Sequence, residues 1–153
     1  MLWVTRTKPH VDRCASAWLI KRFIDKNAKF EFISGEDSIP DDAIAFTLPN
    51  AKIKPVERKK TTYDVLVEKY RVQDFCALGI GKFVHDFEID AEEDASKVKF
   101  RETLGLCYVL KGLEKTSKSD RETVQKALVV LDALYETLRN INEQSSAYSR
   151  TRP

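Results

Sequence analysis

Only two histidines occur among the 153 residues, His10 and His85, so any chemistry that needs an imidazole rests on them. His85-Asp86 stands where an apolar stretch passes into an acidic one, with Glu88 and Asp90 close behind. Imidazole with carboxylates is the donor set expected for manganese, non-haem iron or zinc, although a neighbouring carboxylate can instead orient the ring. The spacing is not that of a metalloprotease, and the plainer reading is a helix-end histidine beside a solvated acidic loop. Arg6, Lys8, Arg13 and Arg22 make a second constellation. Guanidinium forks match planar or tetrahedral oxyanions, and a helix start at Arg13 would add backbone donors. The plainer reading there is ion pairing with Asp12, Asp64 or Glu102. Nucleophilic catalysis finds no support: there is no Gly-x-Ser-x-Gly, no Gly-rich phosphate loop, and neither histidine is set against a cysteine.

The elements that must hold these residues can be read in order. Leu2 to Thr7 favours extended structure. Pro9 pre-sets a helix entry, and Asp12 is placed to accept from the free N–H groups of the first turn. From Asp12 to Asp25, Ala15, Trp18, Leu19 and Phe23 recur at helical spacing, and Ala17, Ile20 and Ile24 widen the stripe, so this helix must be largely buried. Lys29 to Ile33 alternates at period two, as a half-buried strand does. Ala43 to Leu48 is short and almost wholly apolar, which predicts a central strand. Ile53 to Lys60 reads as an exposed basic loop. Thr61 or Thr62 opens a helix with Asp64 in its first turn, and Asp74 caps another that runs to His85 and Asp86. Glu88 to Asp94 is a loop by composition. Two longer helices close the chain, one from about Ser96 to Leu113 and one from Ser119, where Ser119 and Glu122 make a capping-box pattern. The fold class is α+β: a small sheet of two to three strands in the N-terminal half, covered by a predominantly helical C-terminal half. A single domain is expected over residues 1–143, with a disordered tail over 144–153.

Composition narrows the class. The chain is 42% hydrophobic and 33% charged, with 26 basic against 24 acidic residues, so no global field draws it to nucleic acid or membrane. No apolar run approaches the roughly 20 residues that span a bilayer, and the N-terminus lacks a signal-peptide pattern. Cys14, Cys76 and Cys107 are odd in number and widely spaced, against a disulfide framework or a thiolate zinc site. A cytoplasmic protein is the expectation.

The run Thr5-Arg6, His10-Val-Asp-Arg and Ala15-Ser-Ala-Trp-Leu-Ile-Lys-Arg-Phe-Ile-Asp25, with Phe30 and Phe32 after it, resembles the opening of the chromate-resistance protein B domain. Thr62-Tyr-Asp-Val-Leu66, Val84-His-Asp86, Glu102 and Gly105-Leu106 extend the resemblance over about residues 2 to 138. That domain ends regulators of chromate-resistance operons, stands alone in small proteins, and neighbours rhodanese-like domains. The resemblance implies a role in chromate or metal stress response more than it implies a reaction. Carried over by position, it implies a metal set of His85, Asp86, Asp64 and Glu102, an oxyanion pair of Arg6 and Arg13, and His10, Asp12 and Glu57 in support. Many relatives carry a histidine where this chain has Val56-Glu57, so Glu57 must substitute for it if it is a ligand. The implied ligand is a small inorganic one, a divalent metal (manganese, iron or zinc) or an oxyanion. The N-terminal half of the regulators is not in this sequence, so nucleic acid is not an expected partner of this chain alone; a homodimer, or a rhodanese-like or regulator partner, is. Three functions stay open: a sensor or accessory domain, a small metal-dependent enzyme on a sulfur or oxyanion substrate, and a protein-interaction module with a structural polar cluster.

Overall fold

The structure is a computed structural model describing residues 1–151, with side chains described through residue 145. Three strands form one parallel sheet: β1 (Leu2–Arg6) lies at its centre, β2 (Lys29–Ile33) on one side and β3 (Ala43–Ala45) on the other. The helices are α1 (Val11–Leu19), α2 (Thr62–Tyr70), α3 (Phe75–His85), α4 (Thr103–Thr116) and α5 (Asp120–Thr151). This is the expected α+β class. The tail expected over 144–153 lies largely outside the residues whose side chains are described.

Parallel neighbours need a crossover, and α1 supplies the one between β1 and β2. Seven of its nine residues are buried, because α2, α3, α4 and α5 all pack on it. A turn of π-helix, Ile20–Ile24, continues it, so the predicted extent to Asp25 holds while the hydrogen bonding widens: the Asp25 N–H donates to the Ile20 carbonyl at 2.7 Å. Trp3, Trp18, Phe46 and Tyr63 are almost wholly buried around this helix, each stabilising the fold by about 1.5–3 kcal/mol through apolar burial. Asp132 ties α5 to α1, accepting from Trp18 Nε1 at 2.9 Å and from both Nε and Nη2 of Arg22 at 2.8 and 2.6 Å.

Two elements depart from expectation. The strand at Ala43 is an edge strand and ends at Ala45. Its apolar continuation is buried by the following loop instead, with Phe46 bridging to Ile53 and the Thr47 N–H donating to the Ile53 carbonyl. The helix expected from Ser96 begins at Thr103. A short 3-10 turn, Ala95–Lys97, stands at the expected start, but Val98 is extended with ψ 139° and Asp86 holds the N–H groups of Lys99 and Phe100, so the α-helix forms only beyond them.

Candidate functional site

A cleft of about 590 Å³ opens where the starts of α1 and α2 meet the acidic turn after α3. His10, Asp12 and Arg13 enter it from the start of α1, Glu57, Arg58, Lys60 and Thr61 from the loop before α2, and Glu88, Glu92 and Glu93 from the acidic turn. Thr47 and Arg58, which also line it, have φ of 54° and 58°. Left-handed backbone at non-glycine residues is costly and clusters where geometry is imposed by its surroundings.

The carboxylates of the cleft are tied to helix starts. Asp12 does not cap its own helix, as its position suggested; it accepts from the Thr62 and Tyr63 N–H groups of α2 at 2.8 and 3.1 Å, and from Ser16 Oγ at 3.2 Å. Burial pushes its carboxyl up, and those donors pull it part of the way back. The first turn of α1 is met by Glu88 in its place, whose carboxylate accepts from the Asp12 backbone N–H. Burial first, and the negative Asp12 next, push the Glu88 carboxyl up to about 7. A carboxyl that exchanges its proton near neutral pH in a cleft marks a functional candidate. Glu88 reaches this place because α3 ends in a π-helical turn, Asp86–Asp90, in which the Ala91 N–H donates to the Asp86 carbonyl. Such turns shift side-chain register and recur at functional sites.

Arg6 and Arg13 are brought together, Arg6 depressing the Arg13 pKa after burial. The Arg13 fork, however, is turned on the backbone: Nη1 donates to the carbonyls of Arg6 and Thr7 at 3.0 and 2.9 Å, and Nη2 to that of Lys8 at 3.0 Å. It clamps the turn from β1 into α1, and none of the acids considered from sequence is its partner. His10 is exposed, with Nε2 3.8 Å from Glu114.

The four residues of the implied metal set are divided. His85 Nδ1 lies 2.6 Å from Asp64 Oδ2. Asp64 also accepts from the Thr61 N–H at 2.9 Å, and its own N–H donates to Thr61 Oγ1 at 3.1 Å, a reciprocal cap on α2. Asp86 is fully buried and turned inward, accepting from Thr103 Oγ1 at 2.6 Å as well as from Lys99 and Phe100. Burial alone would raise its carboxyl, but these donors outweigh it and hold the pKa down. Glu102 precedes α4 and its side chain caps nothing. Thus His85 and Asp64 meet while Asp86 and Glu102 serve or flank the next helix. Among the described residues no group of three or more His, Cys, Asp or Glu side chains is arranged to hold a metal. The supporting trio His10, Asp12 and Glu57, by contrast, does line one cleft with Arg13. Glu88, Arg58 and Lys60 complete it; from sequence Glu88 was only a carboxylate following His85 and Asp86, and Arg58 and Lys60 belonged to an exposed basic loop.

The family model described as "ChrB, C-terminal domain" matches residues 3–138. The chain is similar to Protein ChrB of Cupriavidus metallidurans, 30% identical over 134 residues, which is 87% of this chain and 39% of that protein. The chain thus spans about two fifths of the length of that curated relative. No solved structure matches it. No helix among the described residues is long and apolar enough to cross a membrane.

Proposed function

The chain belongs to the ChrB C-terminal domain family, and from that premise we propose that it serves the chromate response in the cytoplasm as a sensor or accessory domain that takes a small inorganic oxyanion into the cleft at the starts of α1 and α2. One observation carries this reading: Glu88, titrating at about 7, faces a cleft shared with His10, Arg13, Arg58 and Lys60. A protonated carboxyl no longer repels an anion and offers it an O–H donor. Arg58 and Lys60 supply attraction against the other acids of the lining, Glu57, Glu92 and Glu93, and Arg13 adds charge rather than free donors. The test is calorimetric titration of the protein with sulfate and chromate between pH 6 and 8. Sulfate keeps its charge over this range, so any pH dependence belongs to the protein. Affinity should rise as pH falls through about 7, and Glu88→Gln should bind at pH 8 as tightly as the wild type does at pH 6. Absence of binding by both anions at every pH defeats the reading.

A divalent cation is the second reading: Glu57, Glu88 and Glu92 line the same cleft as His10, although they are not drawn together into a ligand group and would have to close on the ion. These are oxygen and imidazole donors suited to manganese, iron or zinc. A cation would expel the Glu88 proton on binding, so its affinity should rise with pH, the opposite sign. Elemental analysis of protein purified without chelator, with Glu57→Ala and His85→Ala alongside, separates the cleft from the His85–Asp64 pair as the seat of any metal.

A further inference from the structure

The sheet is open along β2, which hydrogen-bonds to β1 and to no other strand of the described residues. The Lys29 N–H donates to the Met1 carbonyl and the Ile33 carbonyl accepts from the Thr7 N–H, both at 3.0 Å. In a parallel ladder alternate residues face alternate neighbours, so Lys29, Glu31 and Ile33 direct their backbone groups at β1. Phe30 and Phe32 therefore direct theirs outward. Beside that edge a groove of about 470 Å³ runs between β2 and the start of α5. Phe30, Phe32, Val124 and Leu128 give it an apolar lining, and Lys21, Lys29 and Arg121 stand around it against one acid, Glu31. Lysine on a strand edge discourages casual pairing, but here the cations also select what can pair.

We propose that the open edge of β2 and its groove form a docking site for an acidic, extended peptide segment of a partner protein, which joins the sheet as a fourth strand. Main-chain groups of Phe30 and Phe32 would supply the ladder, alternate side chains of the peptide would enter the groove, and the three cations would face its carboxylates. A second copy of this chain fits poorly. Antiparallel pairing of two β2 strands about their midpoint sets Glu31 against Glu31, and like charges directly opposite are destabilising. The site is separate from the oxyanion cleft and does not depend on it.

The experiment is a backbone amide NMR titration of the full chain with three six-residue, end-capped peptides: one alternating valine and glutamate, its lysine counterpart, and the glutamate peptide with a central proline. The glutamate peptide should shift the Phe30 and Phe32 amides and slow their hydrogen exchange. The lysine and proline peptides should bind at least about tenfold more weakly, proline because it removes a ladder donor. The exposed pair Lys29→Glu with Arg121→Glu should weaken the glutamate peptide by a similar factor while leaving the thermal transition in place. No binding of the glutamate peptide, equal binding of the lysine peptide, or shifts confined to residues away from β2 would each overturn the proposal. So would dimerisation in analytical ultracentrifugation that protects the same two amides, which would make the occupant a second copy.

Discussion

Asp12 and Asp86 perform the same structural task under opposite electrostatics, and this makes the roles of the two residues separable. Each accepts backbone N–H groups distant in sequence, Asp12 those of Thr62 and Tyr63 at the start of α2 and Asp86 those of Lys99 and Phe100 in the segment before α4. Removing either leaves buried donors unpaired, at about 1–3 kcal/mol for each such group. Asp12→Ala and Asp86→Ala should therefore each lower the unfolding free energy by about 2–4 kcal/mol in urea denaturation. Asparagine discriminates between them. The Asp12 carboxyl is pushed up because burial outweighs its donors, so losing its charge costs less than it does at Asp86. Asparagine keeps one acceptor oxygen but turns its N–H2 on either Thr62 or the Tyr63 and Ser16 donors, so Asp12→Asn should cost about 1 kcal/mol, well short of the alanine variant. At Asp86 the donors outweigh burial, and Thr103 joins them at 2.6 Å. Asp86→Asn gives up charge-assisted bonds and should cost at least about 2 kcal/mol. Equal effects of the two asparagine variants would contradict this assignment.

Between α2 and α3 the decisive position is Gly81. A Cβ there would stand 2.7 Å from Tyr63 Cε1 and 2.9 Å from Cδ1. Tyr63 is fully buried and its hydroxyl donates to the Ala77 carbonyl at 2.7 Å, so the ring has nowhere to retreat. Gly81→Ala should destabilise by about 1–3 kcal/mol through overpacking, against the gain in helix propensity it would bring on an open face; a thermal melt checks it. This contact was not legible in the sequence, whereas the caps at Thr61, Asp64 and Asp74 were, because a cap is decided within four residues. The alternation of Lys29 to Ile33 and the apolar stripe from Ala15 to Ile24 likewise specified β2 and the buried α1. What the sequence could not disclose were contacts made across the chain. Asp12 looked like the cap of its own helix, yet its donors are 50 and 51 residues away. The same distance hid Glu88: the π-helical turn that carries it into the cleft has no local signature, and Asp86, its neighbour, is drawn inward by residues 13 to 17 positions on. Arg6 and Arg13 do lie near each other, but the three carbonyls that fill the Arg13 fork belong to a turn whose shape local spacing does not fix.

For the molecule as a whole these carboxyls set how stability depends on pH. Glu88 rises from 4.5 to about 7 in the folded protein, so between those values the native state holds a proton that the unfolded chain has lost. Stability must then fall as pH rises through this window, and Asp12, also raised, acts in the same direction. Solvent reaches Glu88, so only part of the full linkage is expressed, about 2 kcal/mol, or roughly 4–8 °C in Tm for a domain of this size. Asp86, Asp132 and Asp25 are held below their ordinary value of 3.8. Their contributions are present above that value and are lost as pH falls through their folded pKa values. The two groups of carboxyls together place the maximum of thermal stability near pH 5, on the acidic side of neutrality. Melting curves from pH 3 to 8 should show Tm climbing as pH drops from 7 to about 5 and falling again below about 4. Glu88→Gln, with no proton to exchange, should lose most of the climb and keep the acid-side fall. A wild-type maximum at or above pH 7, or a Glu88→Gln profile that still rises towards pH 5 as the wild type does, would show that Glu88 does not hold its proton in the cleft, and the oxyanion reading built on it would fall with it.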